Sequence, residues 1–266
     1  MLIWSDNAEN RSDPLMKVND SFFEYRDVPR SIDRETSIAM TTFSSRSACV
    51  WRTYGAFNRA TPKTQSALLE AMQERQVTLA DTTFPLEDPF WVLATQNPVE
   101  QEGVYALPEA QLDRFSMMLR VGYPAPDEEV RMLHVRLAET TIERRVSPDD
   151  VVLLRQFIGE AIHVDDKIME YIVRLGRATR SPEQVGCGHL REMLVLGISP
   201  RSYQHILALA RVTAFLRTRT FVLPEDVKEI FCDAARHRIA RSVRAQAENI
   251  DADAILQELL RSTPIP

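Results

Sequence analysis

The sequence predicts an α/β segment followed by a helical bundle, and two observations support this fold class. Short apolar runs at Phe90–Thr95 and Met117–Val121 end in polar or turn residues, as the buried strands of α/β sheets do. From Pro124 to Leu260, apolar residues recur at helical spacing, and several segments open with Ser, Asp or Pro in capping positions. The chain therefore changes from mixed structure to helices near 124–129.

The elements before this change are less regular. The segment Met1–Phe57 keeps no sustained helical period, and strands are predicted there at Phe22–Tyr25 and Ala48–Tyr54. A helix is predicted from Thr61 and Pro62, because both residue types suit a helix start. The polar, β-rich stretch Gln76–Asp88 predicts a hairpin or a loop.

Helices dominate the remainder of the chain. Pro108 begins a short helix with the sequence PEAQLDRF. An amphipathic stripe predicts a helix face that packs in a core, and its members are Ile168, Tyr171, Ile172 and Leu175. The helices predicted after Pro124 are Asp127–Glu139, Pro148–Ile162, Asp165–Ala178, Pro200–Arg217, Pro224–Ser242 and Asp251–Arg261.

The bulk composition excludes several classes of protein. The 266 residues carry a net charge of -6, whereas nucleic-acid binders favour basic faces, so no nucleic-acid partner is expected. No apolar run approaches the roughly 20 residues of a membrane helix, and the N-terminus lacks a signal-peptide pattern. We therefore expect a cytoplasmic protein without a membrane span. Cys49, Cys187 and Cys232 fit no disulfide or zinc spacing, and no residue is predicted to bind a metal.

Asn97 is a candidate site residue because it follows a predicted buried strand. Open α/β sheets bind ligands at the carboxyl ends of their strands. There the Asn97 amide would orient a water molecule or contact a terminal phosphate. The alternative interpretation is a loop residue that bonds its own backbone before Pro98.

Two arginines are candidates for binding phosphate. Arg114 lies near the end of the short helix, where Leu112 and Phe115 are expected to pack inward and leave its guanidinium free. The alternative for Arg114 is a surface arginine that completes a helix C-terminus. Arg201 lies in the first turn of a predicted helix, where a cation opposes the helix dipole and needs another benefit, such as an anion partner.

Five pieces of the sequence together resemble a MoxR-type ATPase of the AAA+ superfamily. They are NRATPKTQSALLEAMQERQVT, LATQNPVEQEGVYALPEAQLDRF, GISPRS, VLPEDVKEI and the ending TPIP. The resemblance covers Asn58 to Pro266 and implies a partial P-loop NTPase (AAA+) core followed by an all-α helical lid domain. The expected divisions are 1–57 without a family match, 58–124 as the C-terminal half of the core, and 125–266 as the lid.

The resemblance also implies roles for the candidate residues. Asn97 matches the sensor-1 residue, Arg114 the arginine finger that reaches a neighbour's γ-phosphate, and Arg201 the sensor-2 arginine of the lid. Asn97 and Arg114 are thus expected to be catalytic, and Arg201 to bind the nucleotide. The stretch Gln76–Asp88 matches a hairpin inserted after the second helix in this clade.

The cofactors and partners expected from the resemblance are those of a ring-shaped machine. ATP and Mg²⁺ are the expected cofactors. The expected assembly is a hexameric ring of identical or different subunits that remodels or matures client proteins. A partner with a von Willebrand factor A domain is also expected.

The sequence departs from the family where the nucleotide phosphates should be held. A phosphate cradle needs glycines and a lysine, but no glycine precedes Gly55 and no Gly-Lys pair occurs. The family's acidic pair, which would position Mg²⁺ and polarise the attacking water, falls on Gly55 and Ala56. The sequence therefore lacks Walker A and the Walker B acidic residues, and the chain alone is not expected to bind or hydrolyse ATP.

The missing P-loop strand also affects the expected sheet. In the resembled fold, that strand lies between those at Phe90–Thr95 and Met117–Val121, and the segment Met1–Phe57 offers no good replacement. Arg52 interrupts the strand expected before Asn58. Unpaired buried backbone groups would each cost about 1–3 kcal/mol, so the lid is expected to fold best. The abrupt change at Asn58 suggests an out-of-frame or wrongly started reading of a MoxR-type gene.

Three functions remain open from the sequence. The first is an incomplete MoxR-type ATPase whose Asn97, Arg114 and Arg201 act on nucleotide held elsewhere. The second is a non-catalytic ring subunit that lends Arg114 to an intact neighbour in trans. The third is an inactive fragment, truncated or frameshifted.

Overall fold

The structure is a computed structural model that describes residues 2–5, 50–56, 62–79, 82–96, 107–134 and 145–266. Its strands are β1 (Leu2–Ser5), β2 (Val50–Ala56), β3 (Gln76–Leu79), β4 (Thr82–Pro85), β5 (Trp91–Gln96), β6 (Met118–Val121), β7 (Leu194–Leu196) and β8 (Ala240–Arg241). Its α-helices are α1 (Pro62–Glu74), α2 (Glu109–Leu112), α3 (Pro126–His134), α4 (Pro148–Ala161), α5 (Asp166–Arg180), α6 (Pro200–Leu216), α7 (Pro224–Ala235), α8 (Val243–Ala247) and α9 (Ala252–Ser262).

The described residues form two compact units. One unit contains 107–119 and 152–266, which include most of the helices. The other contains most of the large sheet, the β3–β4 hairpin and α1. The predicted combination of an α/β core and a helical lid is confirmed, and the helical part also carries the two-stranded sheet β7–β8. Within the described ranges, no helix combines the length and the apolar character needed to cross a membrane.

The large sheet has the strand order β2-β5-β1-β6. The expectation that nothing in the segment Met1–Phe57 replaces the missing strand is wrong, because β1 lies between β5 and β6. Four residues are too few to show a periodic pattern in the sequence. A strand with a neighbour on each side nevertheless finds partners for its backbone N–H and C=O groups.

The other strand predictions for this region have different outcomes. β2 confirms the strand predicted at Ala48–Tyr54, whereas Phe22–Tyr25 lies outside the described residues. β2 runs parallel to β5, with Arg52 opposite Leu93. Among the described strands β2 is an edge strand, and charged residues are common on edge strands.

The strands predicted as buried are covered only in part. In β5, Val92 and Ala94 are buried, but Trp91 is 41% exposed. In β6, Met118 is buried and Val121 is 50% exposed. A continuous apolar run predicts burial on both faces, whereas these strands have exposed positions among the described residues.

The predicted hairpin after α1 is confirmed by an antiparallel pair. β3 and β4 pair with Gln76 opposite Pro85 and Leu79 opposite Thr82. Arg75 has φ 55 between α1 and β3, and its Nη1 donates to the carbonyl oxygen of Phe90 at 3.0 Å.

The helical unit has a core built around α5. The predicted stripe is confirmed, because Ile168, Tyr171, Ile172 and Leu175 are at most 5% exposed. The same cluster includes Ile206 of α6, Phe231 of α7 and Leu256 of α9. Burying one such side chain contributes about 1.5–3 kcal/mol, so this cluster fixes the helices of the unit relative to one another.

The helix predicted at Pro224–Ser242 is too long. α7 ends at Ala235, β8 pairs antiparallel with β7, and α8 begins after its N-cap Ser242. The reason is tertiary: residues 236–238 leave the helix and bond the backbone of the turn after α2. Helical spacing in the sequence cannot reveal such bonds. α3 is described only to His134, and the other predicted lid helices are confirmed within two residues at each end.

Asp226 ties the start of α7 to the residues before it. Its carboxylate is fully buried, and it accepts hydrogen bonds at 2.8 Å from Arg219 Nη1 and from the Leu223 N–H group. Arg217 adds a longer contact of 3.5 Å. Burial raises the pKa of Asp226, but the hydrogen bonds and charges of its partners outweigh burial and hold that pKa below its ordinary value.

We expect Asp226→Ala to lower the free energy of unfolding by about 3–5 kcal/mol, because it leaves Arg219 without its carboxylate. Glu229→Ala is the matched control: Glu229 pairs with Arg217 but its side chain is 51% exposed, so its loss should cost at most about 1 kcal/mol. Urea denaturation of the two variants measures both costs. Equal losses would contradict the prediction.

Candidate functional site

Arg114 lies in a tight turn that follows α2. Its N–H group donates to the carbonyl oxygen of Gln111 at 3.2 Å, and that of Phe115 donates to Leu112 at 3.1 Å. Phe115 is 1% exposed, so its ring anchors the turn. The Arg114 side chain is partly exposed, and its Nε and Nη1 atoms are buried. Neither atom has a hydrogen-bond partner among the described residues.

Asp113 connects this turn to the start of α6. Ser199 Oγ donates to Asp113 Oδ2 at 3.0 Å, and Ser202 Oγ donates to Oδ1 at 3.4 Å. Arg238 Nε donates to the same Oδ1 at 2.9 Å, and the Arg238 side chain is only 1% exposed. The carboxylate thus binds the first turn of α6 and the segment after α7 at the same time.

Three consecutive residues after α7 hold the backbone of the turn. Arg238 Nη2 donates to the carbonyl oxygen of Phe115 at 2.6 Å, and His237 Nε2 contacts the same oxygen at 2.9 Å. Arg236 Nη1 donates to the carbonyl oxygen of Met118. Because a carbonyl oxygen only accepts, His237 must carry its proton on Nε2. Side chains from one short segment therefore satisfy carbonyl groups on both sides of Ser116.

The loop before α6 is fixed by α5. The N–H group of Ile198 donates to Thr179 Oγ1 at 3.0 Å, and Thr179 Oγ1 donates to the carbonyl oxygen of Gly176 at 2.7 Å. A Cβ atom on Gly197 would come within 2.6 Å of the Thr179 carbonyl oxygen, so this close approach requires glycine. The loop therefore sets the position of Arg201 in the first turn of α6.

The charges of Arg114 and Arg201 affect each other. Burial, followed by the positive charge of Arg201, lowers the pKa of Arg114, while the charge of Asp113 opposes this shift. Arg201 is exposed, and no hydrogen bond or ion pair joins it to another residue in the described part of the chain. The site thus holds two guanidinium groups whose charge is only partly compensated. A phosphate oxygen is a suitable partner for such groups.

Two histidines of the same unit add no charge at neutral pH. The pKa of His205 falls to about 4, mainly through burial. The positive charges of Arg238 and Arg201 lower this pKa further, and the negative charge of Asp113 opposes the shift. The pKa of His237 falls to about 3, mainly through burial and the charge of Arg238. Both imidazoles are therefore neutral near pH 7, and the positive charge of the site comes from its arginines.

The structure brings together two of the three predicted site residues. Arg114 and Arg201 interact electrostatically within one compact unit, whereas Asn97 lies outside the described residues. Sequence reasoning missed the supporting residues Asp113, Ser199, Ser202 and Arg238. Asp113 and Ser199 stand inside the matched pieces LDRF and GISPRS, but no spacing rule pairs residues that lie 86 positions apart.

The site suits an anion better than a metal ion. Two guanidinium groups fit the phosphate end of a nucleotide, so the expected ATP has a matching element here. Within the described ranges, no group of three or more His, Cys, Asp or Glu side chains is arranged to hold a metal ion. Among the described residues, therefore, nothing fits the expected Mg²⁺.

Two family models match this chain, one in its N-terminal half and one in its C-terminal half. The model described as "ATPase family associated with various cellular activities (AAA)" matches residues 54–117. The AAA lid domain model matches residues 189–259. Arg114 falls in the first match, and Arg201, with the Arg238 segment that supports the site, falls in the second.

Individual proteins are similar over most of the chain. Chaperone MoxR1 of Mycobacterium tuberculosis is 41% identical over 79% of this chain and 55% of its own length. Protein MoxR of Paracoccus denitrificans is 30% identical over 70% of this chain and 58% of its own length. A crystal structure of a Cytophaga hutchinsonii protein is 39% identical with a TM-score of 0.74, covering 82% of this chain and 66% of the other. The chain thus spans a little over half the length of these two curated relatives.

The neutral histidines predict that acid weakens the fold. The pKa of these histidines is depressed in the folded state and lies near 6.5 in the unfolded state. Below pH 6.5 the unfolded chain therefore binds protons that the folded chain does not, and the free energy of unfolding falls as the pH falls. We expect the free energy of unfolding to fall below pH 6.5 by up to about 1.4 kcal/mol per pH unit for each of His205 and His237. Urea denaturation at several pH values measures this slope.

His237→Gln should reduce the slope, because glutamine keeps an N–H donor but does not titrate. Between pH 7 and 8 the wild type and the variant should show parallel curves, which provides the internal control. Equal slopes for the two proteins between pH 6.5 and 4 would contradict the assignment of a buried neutral imidazole.

Proposed function

The chain belongs to the MoxR-type AAA+ ATPases, and on this basis we propose that it is a ring subunit that presents Arg114 and Arg201 to ATP held by an adjacent subunit. AAA+ ATPases generally form hexameric rings. In such a ring, an arginine of one subunit can act on nucleotide bound by the next. The observation that carries the proposal is the pair of incompletely compensated guanidinium groups.

The electrostatics of the pair support binding of an anion from outside the chain. The Arg114 side chain is partly exposed, and its positive charge is only partly compensated by Asp113, so an anion from outside the chain would be attracted to it. Arg201 is exposed and accessible to such a group. A triphosphate carries charge on several oxygens, which suits two cationic groups of one compact unit whose charges influence each other.

The sequence favours action in trans over action on the chain's own nucleotide. No Gly-Lys pair occurs in the 266 residues, so the usual backbone cradle and lysine for the β- and γ-phosphates are lacking. Arginine fingers supplied in trans raise the rate of nucleotide hydrolysis by about 10³–10⁵-fold in other NTPases. A subunit that holds no nucleotide can therefore still control the hydrolysis rate of its neighbour.

The remaining expectations follow from the same assembly. The Mycobacterium tuberculosis relative is named a chaperone, which supports remodelling or maturation of client proteins as the task of the ring. A partner with a von Willebrand factor A domain and a sensor-1 role for Asn97 belong to this proposal as well. They depend on the whole ring, of which this chain supplies one part.

A complementation experiment tests the proposal. The partner is an intact MoxR-type ATPase from the same organism in which the residue that matches Arg114 is replaced by alanine, so that its own ring hydrolyses ATP slowly. Adding the wild-type chain should restore hydrolysis by at least about 10²-fold, somewhat below the effect of a complete arginine finger. The chain alone should show no hydrolysis. Arg114→Ala and Arg201→Ala chains should fail to restore it.

Arg191→Ala is the matched control, because Arg191 is an exposed arginine of the same unit outside the arginine pair. That variant should restore hydrolysis as well as the wild type does. Association with the partner is measured in parallel by size-exclusion chromatography with light scattering. Absence of a mixed ring, or full restoration by the Arg114→Ala chain, would show that the chain does not act in trans.

A further inference from the structure

We propose that Asp113 is a positioning residue that holds Arg114 and Arg201 together as one unit, with Ser199 and Ser202 as its contacts on α6. The proposal rests on the function proposed above, since it concerns how the same two arginines are presented. Asp113 is the neighbour of Arg114 in the chain, and the two serines are close neighbours of Arg201. One carboxylate therefore links the two arginine-bearing segments.

The hydroxyl of Ser199 is directed to this link instead of to its own helix. Ser199 is the N-cap residue of α6, yet its side chain makes no capping hydrogen bond. A serine in this position usually accepts a hydrogen bond from an N–H group of the first helical turn, which stabilises the helix. Here its Oγ donates to Asp113 Oδ2 at 3.0 Å. The first turn of α6 thus lacks the usual capping hydrogen bond from Ser199, and the Ser199 hydroxyl binds the segment that carries Arg114 instead.

Ser202 provides a second contact from the same helical turn. Its Oγ donates to Asp113 Oδ1 at 3.4 Å, and the residue is fully buried. The N–H group of Ser202 donates to the carbonyl oxygen of Ser199 at 3.0 Å, so the two serines belong to one rigid turn. Arg201 lies between them in the sequence, and its backbone cannot move without moving these contacts.

The link is needed because the two arginines repel each other. The positive charge of Arg201 disfavours the charged form of Arg114, and the negative charge of Asp113 favours it. Arg238 keeps the carboxylate in place, since its guanidinium also donates to the carbonyl oxygens of Phe115 and Ala234. Without the contacts from Asp113 to α6, this repulsion would favour separation of the two arginines.

A positioning role predicts a specific kinetic defect. The chain should still bind its neighbour, because the outer surface is unchanged, but the two arginines should no longer act together on one phosphate group. Misplacement of a catalytic group by about 1 Å can lower a rate by about 10²-fold. The maximal restored rate should therefore fall, while the chain concentration that gives half of that maximum should stay the same.

The test uses the complementation experiment with a Ser199→Ala/Ser202→Ala double variant of the full chain. We expect the maximal restored hydrolysis rate to fall at least about tenfold, with the half-maximal chain concentration within about twofold of the wild type. Ser199→Thr, which keeps the hydroxyl, should restore most of the rate. Thermal denaturation checks that the double variant is folded, and Arg191→Ala again serves as the control.

Asp113→Asn provides the second variant, since it keeps an acceptor for the serines but removes the charge opposite Arg238. It should lower the maximal rate at least as much as the double serine variant. A double serine variant that restores hydrolysis as well as the wild type, while Arg114→Ala does not, would overturn the positioning role and leave the proposed function standing. Full restoration by Arg114→Ala would instead overturn the proposed function itself.

Discussion

The ion pair between the buried Arg238 and the partly buried Asp113 is the interaction on which the arrangement of the site depends. Removing two charges from water is costly, and a buried pair remains stable only when its other hydrogen-bonding groups are satisfied. In this pair those groups are satisfied. Asp113 accepts from two serine hydroxyls, and Arg238 donates to one backbone carbonyl in α7 and to another in the turn after α2. The pair joins the turn that carries Arg114 to the segment after α7, and the α6 serines on either side of Arg201 bind the same carboxylate.

The arginines of this unit differ in how their positive charge is balanced. The hydrogen bond to Asp226 raises the pKa of Arg219, and for Arg236 the partners Asp253 and Asp233 outweigh burial and raise its pKa too. The pKa of Arg114 is lowered instead, by burial and by a second arginine. Burial also lowers the pKa of Arg238 despite its ion pair with Asp113, whereas the described contacts give the Arg114 guanidinium no carboxylate partner at all. Such local conflicts are expected where a ligand supplies the missing charge.

The sequence contained enough signal for the main elements, and it pointed to two arginines that the structure places in one compact unit. Helical spacing located α5 and its buried face, and the motif pieces singled out Arg114 and Arg201. What could not be predicted depends on contacts between distant residues: the end of α7 at Ala235 and the link from Asp113 to α6. β1 was missed for a related reason, since a four-residue strand is specified by its neighbours in the sheet and not by its own pattern.

The groups that hold the arginine pair all belong to one compact unit. Arg114 and Asp113 lie within 107–119, and the α6 serines, Arg201 and Arg238 lie within 152–266. None of their described contacts uses the large sheet or the segment Met1–Phe57, where the sequence departs from its family. The contacts that hold the arginine pair therefore lie within this one unit, which is the condition that the proposed role in trans requires of this chain.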